Sequence, residues 1–487
     1  MADLFNPILQ EKKQDKKALD NFRRAAKKIV GEDYISDKKA DLLSTCRDYW
    51  PVGSIWMLEG KVSALPDLVA WPASTRDVSE LLALANSLKI PVTPFGEGSG
   101  ALGGAVPMHG GVMIDLKRMN RIRELDQLNQ MVTVESGMNG ARYEEELNKA
   151  GYTGGHFPQS LRCSTVGGWL ACRAAGQFST RYGKIEDMAV SLEAVLADGT
   201  VFSGRSVPRT ATGPRPDHLF IGSEGVLGII TAATLRVWPL PETRHLVTYT
   251  FDHMEDALES IRLVMRAGAR PAVVRLYDAQ ETGNHFPELG DKRPALIILI
   301  EGVSEIVKAE AAVLEAAAAR FNALNEGPRH VEHWLERRFN ISAASRLFQK
   351  DAVLDTIEVT TNWHNAHSTY LAMQEALLAV EGTMLASGHY SHVYPEGAAL
   401  YLTVVGFPGA DKVAYYKKIW EAAMQACITE GAAISHHHGI GLHRGLWMEE
   451  EHGAGLEVLK RLKKALDPNG IMNPGKLGLE EVETWRK

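Results

Sequence analysis

The sequence predicts an α/β (α+β) protein built from two successive α/β units. Short β-rich runs alternate with amphipathic helical stretches from about residue 68, and the pattern restarts after the proline-containing segment 239–241. The chain has 487 residues, of which 45% are hydrophobic and 23% are charged, a composition typical of globular proteins. That length accommodates two or three domains of about 150 residues each.

Composition and charge exclude several classes of protein. The 53 basic and 60 acidic residues give a net charge of −7, whereas a nucleic-acid-binding protein normally carries a basic face. No apolar run approaches the roughly 18 residues that would cross a bilayer. The four cysteines are scattered without a CxxC pair, and no secretory signal precedes them. We therefore expect a reduced, cytoplasmic protein with no transmembrane segment and no nucleic-acid partner.

The first 60 residues are expected to form a helical segment. Basic residues crowd positions 11–30, and four apolar residues fall among them at helical spacing: Leu19, Phe22, Ala26 and Ile29. Such a helix either packs on the rest of the protein through this stripe or contacts an anionic membrane surface. The packed helix is the favoured interpretation, and peripheral membrane contact stays open.

Residues 61–241 are expected to form the first α/β unit. Its strands are predicted at 68–71, 91–94, 111–116, 131–135, 192–196 and 229–237, and its helices at 75–88 and 138–150. In the first helix Val78, Leu81, Leu82 and Ala85 share one face. Gly151 supplies a C-cap for the second.

Residues 242–440 are expected to form the second unit, in which helices cover one face of an antiparallel sheet. The predicted strands are 246–251, 272–277, 295–301, 356–361 and 398–405, and the predicted helices are 254–267, 305–321 and 424–431. A helix at 453–466 and a turn at 467–470 are predicted in the remaining segment, 441–487.

Three glycine-containing segments indicate a bound dinucleotide. Residues 94–104 place five glycines directly after a predicted strand, where backbone N–H groups can converge on a phosphate without Cβ clashes. No Asp or Glu ends a following strand as it would in a nicotinamide-binding fingerprint. Segments 159–168 and 222–230 add two more such loops, and three of them favour a cofactor site over simple chain reversals.

These segments carry a resemblance to a known family. Its strongest pieces are residues 222–230, Pro94-Phe-Gly-Glu-Gly-Ser-Gly100, Gly155-His-Phe-Pro-Gln-Ser160, Thr165-Val-Gly-Gly-Trp169 and Ser435-His-His-His-Gly-Ile-Gly441. Together they make residues 45–480 resemble the FAD-binding flavoproteins of the vanillyl-alcohol-oxidase type. Within that type the chain is most similar to alkyldihydroxyacetonephosphate synthase and to related bacterial FAD-linked oxidoreductases.

The resemblance implies an FAD-binding domain of two α/β subdomains at 61–241, a cap domain at 242–440 over the flavin ring, and a C-terminal segment, 441–487, that returns to the first domain. It assigns FAD contacts to Pro94, Phe95, Gly96, Glu97, Gly98, Ser99, Gly100, Gln159, Ser160, Ser164, Thr165, Gly167, Gly168, Arg173, Glu224, Gly225, Gly228 and Ile230. Families that tether the flavin through the first loop place a histidine at or beside Ser99. None stands between Phe95 and Gly104, so non-covalent FAD is expected.

The same resemblance selects polar residues of the cap. It implies catalytic roles for Tyr401, Arg275, Arg346 and the triplet His436, His437 and His438. On a strand, alternate side chains face opposite sides, so either the outer two histidines or the central one is expected to face a shared cavity. Arginine binds carboxylate or phosphate through a forked donor, and a tyrosine beside a histidine can move a proton near neutral pH. A small anionic substrate is therefore expected.

Three functions stay open. The favoured one is an FAD-dependent oxidoreductase that takes hydride from a CH–OH carbon of a small anionic substrate, such as a 2-hydroxy acid or polyol phosphate. The second is the synthase reaction, in which the acyl group of an acyl-dihydroxyacetone phosphate is exchanged for a fatty alcohol without net redox change. A flavin-binding scaffold or electron-transfer subunit is the third. A homodimer is compatible with each.

No metal is expected. Metal-dependent FAD-linked 2-hydroxy-acid dehydrogenases resemble the chain around His389, Tyr401 and His437. They are expected to place His, His and Glu at these three positions. Here His389 is kept, while Tyr401 and His437 replace the other two. A neutral phenol is a poor ligand, and loss of the carboxylate removes the anionic partner. A three-nitrogen zinc site of His389, His392 and His437 is the alternative.

Overall fold

The computed structural model describes residues 6–9, 12–290, 292–340, 351–480 and 482–486. Arg346 lies outside the described residues. Five β-sheets organise this part of the chain, three of them with four or more strands. The α/β (α+β) fold predicted from the sequence is confirmed.

The first unit is organised around a four-stranded and a five-stranded sheet. The four-stranded sheet, in which the last three strands are parallel, has the order Ile35–Ser36, Leu68–Ala70, Val112–Asp115 and Val92–Phe95. The five-stranded sheet is antiparallel, in the order Val201–Ser203, Ala189–Val195, Ile229–Arg236, Met131–Glu135 and Ile122–Asp126. Two short ladders pair Asn6–Pro7 with Lys61–Val62 and Trp238–Pro239 with Tyr152–Thr153.

The second unit is built on one antiparallel sheet of seven strands. Their order is Leu324–Gly327, Thr243–Thr250, Ala295–Gly302, Val273–Tyr277, Thr383–Val393, Gly397–Gly406 and Val353–Asn362.

The α-helices surround these sheets. Those of the N-terminal segment and first unit are Lys16–Val30, Lys39–Thr45, Pro51–Leu58, Thr75–Leu88, Gly140–Lys149, Val166–Cys172, Ser179–Tyr182 and Ile185–Met188. Those of the second unit are Met254–Arg266, Ala279–His285, Ser304–Ala319, Arg329–Arg337, Ala366–Leu378 and Lys412–Thr429. Three further helices lie in the C-terminal segment: Met448–His452, Ala454–Leu466 and Glu483–Arg486. No helix in the described ranges combines the length and apolarity that crossing a bilayer demands.

The basic N-terminal helix packs on the four-stranded sheet. Phe22, Ala26 and Val30 are buried in the same apolar cluster as Leu68 and Val112 of that sheet. The side chain of Asp15 caps the helix by accepting the N–H groups of residues 17 and 18. The apolar stripe seen in the sequence is therefore covered by the protein itself.

The two faces of the seven-stranded sheet are covered differently. One face of the strand Ala295–Gly302 carries Leu296, Ile298 and Ile300. These residues belong to a core that includes the helices Met254–Arg266 and Ser304–Ala319. Ile297 and Leu299 point the other way and belong to the core of the first unit. Successive strand residues face opposite sides, so this strand separates two apolar cores. The face toward the first unit carries the polar site described below.

Several elements differ from the prediction, and three of the differences have a clear physical reason. The helix predicted at 138–150 begins at Gly140, because the Asn139 side chain accepts the N–H groups of the first turn. The helix predicted at 424–431 is only the end of Lys412–Thr429. The strand Thr383–Val393 was not predicted, because its Gly, Ser and His residues weaken the β pattern.

Candidate active site

The three glycine-containing loops meet in the first unit. A Cβ atom at Gly96 would lie 2.4 Å from Oγ1 of Thr165, and one at Gly225 would lie 2.4 Å from Cγ of Pro94. Both positions therefore need glycine for the loops to approach so closely. The structure therefore brings together predicted cofactor residues from all three loops, namely Pro94 and Gly96, Thr165, and Gly225.

The first loop presents unused backbone donors. Within the described part of the chain, the N–H groups of residues 98–104 donate to no protein acceptor. Gly98 has a positive φ of 66°, and residues 96–101 stay partly exposed. Such a run of free donors forms an anion-binding concavity, which fits the pyrophosphate of the FAD that the resemblance implies.

Residues of the C-terminal segment hold these loops together. Asn473 Nδ2 donates to the backbone carbonyls of Gly104 and Glu224 at 3.0 and 2.7 Å. The Glu224 carboxylate accepts the N–H groups of Ile440 and Gly441 at 2.6 and 2.8 Å. Burial raises the pKa of Glu224 to about 7. The loop after the histidine triplet is thereby tied to the cofactor loops.

Strand register lines up four polar side chains on the seven-stranded sheet. Tyr277 pairs with His389, His389 with Tyr401, and Tyr401 with Glu358. Directly opposed residues of neighbouring strands share a face, so the four form one row. Arg275, two residues before Tyr277, lies on the same face, and its Cζ is 6.0 Å from the Tyr401 ring centroid. Two predicted catalytic residues, Arg275 and Tyr401, are thus neighbours.

A β-bulge adds a second histidine to this face. The ladder with the next strand skips His392, which has a positive φ of 50°. Three residues after His389, it would point to the opposite face of a regular strand. The bulge instead places His392 Nε2 2.6 Å from the Tyr401 hydroxyl and Nδ1 2.7 Å from Ser179 Oγ.

The histidine triplet forms a loop, not a strand. Its three N–H groups turn around the Glu358 carboxylate, with donor–acceptor distances of 2.5 Å for His436, 3.4 Å for His437 and 3.0 Å for His438. The expectation that alternate histidines face one cavity is therefore wrong. Adjacent His436 and His437 both lie with their ring centroids 5.0 Å from that of His392, and their Nδ1 atoms are 3.0 Å apart.

Arg444 balances the charge of Glu358. Both side chains are fully buried, and the guanidinium donates to the carboxylate at 2.7 Å and to the Glu358 backbone carbonyl at 2.5 Å. Burial disfavours the charged carboxylate, but Arg444 outweighs it and holds the pKa of Glu358 well below its usual range. This ion pair fixes the loop that carries the triplet.

The three clustered histidines are neutral. Burial lowers the pKa of His392, His436 and His437 well below the ordinary value, and the Lys184 ammonium acts in the same direction on each. Burial also raises the pKa of Tyr401. At neutral pH each imidazole therefore has one N–H and one acceptor nitrogen, and Tyr401 keeps its proton.

Arg275 is oriented by a buried histidine and carboxylate. Its Nη2 donates to His389 Nε2 at 2.6 Å, and His389 Nδ1 donates to Glu281 at 2.8 Å. Burial lowers the pKa of His389 to about 4, so the imidazole is neutral near pH 7. In the described ranges no carboxylate forms an ion pair with Arg275, which leaves its charge available to an anionic substrate.

Several of the contributing residues were not named by the sequence analysis. Four of them reach the site only because segments far apart in the chain pack together: Glu358, Arg444, Glu281 and Ser179. A carboxylate inside the apolar strand Val353–Asn362 is the one signal that could have identified Glu358. Among the predicted residues, Gln159 and Arg173 have exposed side chains, and Arg173 pairs with Glu186 at 3.2 Å.

Potential metal ligands do come together here. His392, His436 and His437 each offer a nitrogen within 4.8 Å of the others. This set differs from the alternative considered above, because His436 takes the place of His389. All three histidines are already hydrogen-bonded to side chains, and the nearest carboxylate, Glu358, is occupied by Arg444 and the loop N–H groups.

The fold and the loops that fit a dinucleotide define a flavin-dependent enzyme. Residues 66–204 match the FAD binding domain family, and residues 240–477 match the C-terminal domain of FAD linked oxidases. The chain belongs to the FAD-linked oxidoreductase family, which confirms the resemblance stated above.

Known proteins of this family differ in reaction. The uncharacterised FAD-linked oxidoreductase YgcU of Escherichia coli K12 is 35% identical over 480 residues, 92% of this chain and 96% of YgcU. The glycolate oxidase subunit GlcD of Bacillus subtilis is 25% identical over 465 residues, 92% of this chain and 95% of GlcD. A solved structure of alkyldihydroxyacetonephosphate synthase has a TM-score of 0.82 at 25% identity and covers 96% of this chain and 87% of its own.

The glycine pair of the second loop offers a matched test of FAD binding. A Cβ at Gly167 would lie 2.6 Å from Ser136 Cβ, whereas one at exposed Gly168 would meet only Thr165 Oγ1, at 3.3 Å. Gly167→Ala is expected to displace the loop and lose FAD, which at a hundredfold excess over Kd forfeits about 2.7 kcal/mol of ligand stabilisation. Gly168→Ala should keep its flavin. Flavin absorbance per chain and Tm measure both, and a flavin-loaded Gly167→Ala protein would contradict this assignment.

Proposed function

We propose that the protein takes hydride from a CH–OH carbon of a small anionic substrate, such as a 2-hydroxy acid or a polyol phosphate. The neutral Tyr401–His437 pair beside Arg275 carries this proposal, with the Tyr401 hydroxyl 3.3 Å from His437 Nε2. A proton acceptor and a guanidinium side by side suit a substrate that bears both a hydroxyl and an anionic group. The similarity to a glycolate oxidase subunit supports the 2-hydroxy acid class.

The mechanism assigns one task to each group. Arg275, held by His389 and Glu281, binds the carboxylate or phosphate, and Arg346 is proposed as a second clamp. The His437 imidazole accepts the hydroxyl proton through the Tyr401 hydroxyl. Bound FAD supplies the hydride acceptor. Because His437 is neutral before the reaction, its acceptor nitrogen is available at physiological pH.

An anaerobic substrate screen tests this proposal. The FAD-loaded protein is mixed with glycolate, D-lactate, sugar acids and polyol phosphates while the flavin absorbance is followed. Bleaching by at least one anionic hydroxy compound is expected, and Arg275→Lys should need a higher concentration of it because the bidentate donor is lost. The proposal fails if none of these compounds bleaches a flavin that dithionite reduces fully.

The synthase reaction is the second candidate. It is favoured by the structural similarity to alkyldihydroxyacetonephosphate synthase and by the histidine triplet on which the resemblance in sequence partly rests. Acyl-dihydroxyacetone phosphate and a fatty alcohol would then yield an alkyl product while the flavin ends oxidised. Mass spectrometry of the lipid product distinguishes the two reactions.

Non-covalent attachment is part of the proposal. No histidine stands between Phe95 and Gly104 to form a bond to the flavin. Acid precipitation is therefore expected to release all FAD into the supernatant. Yellow colour or flavin fluorescence that stays with the washed pellet would show a covalent link.

We also propose that the site works without a metal. Lys184, Arg275 and Arg444 surround the histidine cluster, and a divalent cation would lack an anionic ligand there. Purified protein is expected to contain no stoichiometric zinc or manganese and to keep its activity in chelator. One metal per chain, with activity lost in chelator and restored by that metal, would contradict the assignment.

A further inference from the structure

Six side chains of the site form a continuous chain of hydrogen bonds. In order they are Ser179, His392, Tyr401, His437, His436 and Tyr394, with successive distances of 2.7, 2.6, 3.3, 3.0 and 2.7 Å. Ser179 also acts on Tyr394 and lowers its pKa, against the larger effect of burial, which raises it. The two ends of the chain therefore lie near each other, and we call the six side chains the hydroxyl–imidazole ring.

Each member of this ring carries a proton that it can donate to a neighbour. Each of the three hydroxyls carries one proton, and each of the three neutral imidazoles carries one N–H and one acceptor nitrogen. From Tyr401 through His437 and His436 to Tyr394, each member can thus donate once to the next and accept once from the previous one. When one proton enters at Tyr401 and another leaves at Tyr394, a proton has moved across every contact between them and every group is neutral again. Such a network is able to pass on a proton that arrives at any one member.

Two members of the ring are partly exposed, and they differ in their surroundings. His437 adjoins Tyr401, which lies between it and Arg275 at the proposed substrate site, whereas Tyr394 lies on the other side of His436. The carboxylates of Glu186 and Asp187 act on Tyr394, and the Lys184 ammonium acts on the histidines. The Glu358 carboxylate acts in the opposite direction on His392 and His436, but burial outweighs it, so positive charge is disfavoured at the imidazoles, while Glu186 and Asp187 act on the Tyr394 side.

We propose that the hydroxyl–imidazole ring is the proton exit of the active site and that Tyr394 releases the proton to solvent. This inference rests on the proposed function. As the substrate CH–OH becomes C=O, its hydride goes to the flavin and its hydroxyl proton goes through Tyr401 to His437. His437 passes a proton from Nδ1 to His436, and His436 passes one from Nε2 to Tyr394, whose own proton leaves to water. Each group is neutral again once that proton has left.

Tyr394→Phe opens the ring at the proposed exit, and Tyr390→Phe is its matched control. Tyr390 is a buried tyrosine of the strand Thr383–Val393, which ends one residue before Tyr394, but its hydroxyl donates to the backbone carbonyl of Ala366 at 2.6 Å, on the helix-covered face. Neither substitution removes more than one oxygen atom. A difference between the two variants therefore reports the ring and not the loss of a buried hydroxyl as such.

Nitrogen NMR of ¹⁵N-histidine-labelled, FAD-loaded protein tests the ring without any substrate. We expect His392, His436 and His437 to be neutral at pH 7. Tyr394→Phe should shift the ring nitrogens of His436, its hydrogen-bonded neighbour, while Tyr390→Phe leaves them unchanged. A charged imidazole among the three at pH 7, or the same histidine spectrum in both variants, would overturn the proposal.

Kinetics separate the failure of this inference from that of the proposed function. With a hydroxy acid that bleaches the flavin, Tyr394→Phe should slow flavin reduction roughly tenfold, less than the loss of a directly acting base, and raise the solvent isotope effect. Tyr390→Phe should match the wild-type protein, and equal rates in both variants would refute the exit path. If no hydroxy acid bleaches the flavin, the proposed function fails, and the histidine spectra still decide whether the ring exists.

Discussion

A Tyr401→Phe protein is expected to bind FAD normally and to reduce it with substrate about 10²–10⁴ times more slowly, the range for a lost acid or base. The substitution removes one hydroxyl from a side chain that is 7% exposed and ends its contacts with His392 and His437. The remaining ring still stacks on His389, with centroids 4.5 Å apart. The fold should therefore persist while proton transfer fails.

Anaerobic stopped-flow reduction with the same hydroxy acid measures this effect. Flavin content and Tm of Tyr401→Phe should equal those of the wild-type protein, which separates a chemical defect from a folding defect. Tyr390→Phe is again the control, because its buried hydroxyl lies on the other face of the sheet. An unchanged reduction rate in Tyr401→Phe would remove Tyr401 from the mechanism.

Replacing Glu358 with glutamine should produce the largest loss of stability. The change leaves the fully buried Arg444 guanidinium without its anionic partner, and breaking a buried pair in this way costs about 3–5 kcal/mol. It also weakens the acceptor around which the N–H groups of the histidine triplet turn. A fall in Tm and in the denaturant midpoint is expected. Exposed Glu396→Gln is the control, and equal midpoints would show that the ion pair contributes nothing net.

The pH dependence of this stability has a defined sign. The pKa of Glu358 lies well below its ordinary value of 4.5, so the folded state binds its proton less readily than the unfolded chain. The stabilisation is complete above pH 4.5 and is lost as the pH falls below it. Wild-type Tm should therefore decline more steeply than Glu358→Gln Tm on acidification below pH 4.5. Parallel acid profiles would contradict a charged Glu358 in the folded state.

Local sequence patterns predicted much of the fold. The helix Thr75–Leu88 has the predicted bounds, because its apolar spacing and the Ser74 cap are both encoded within a few residues. The cofactor loops were also recognisable, because glycine is required where Gly96 and Gly225 approach other loops. The helix depends on contacts within a short stretch of chain, and the loops were recognisable from their glycine content alone, although the contacts that require glycine are long-range.

The arrangement of the active site depends on information that no short stretch contains. Glu358 and Arg444 are 86 residues apart in the chain, and the row from Tyr277 to Glu358 exists only in one strand register. The bulge at His392 reverses the direction that alternation predicts for that side chain. The conformation of the histidine triplet follows from Glu358, so it could not be predicted before the ion pair was known.

The closure of the cofactor loops by Asn473 has a consequence for biosynthesis. Asn473 bonds the carbonyl of Glu224 from 249 residues further along the chain. At a translation rate of about 5–20 residues per second, roughly 12–50 s separate the emergence of these two residues from the ribosome. During that interval the residue that joins the loops is missing from the nascent chain. We therefore expect stable flavin incorporation to be a late, essentially post-translational event.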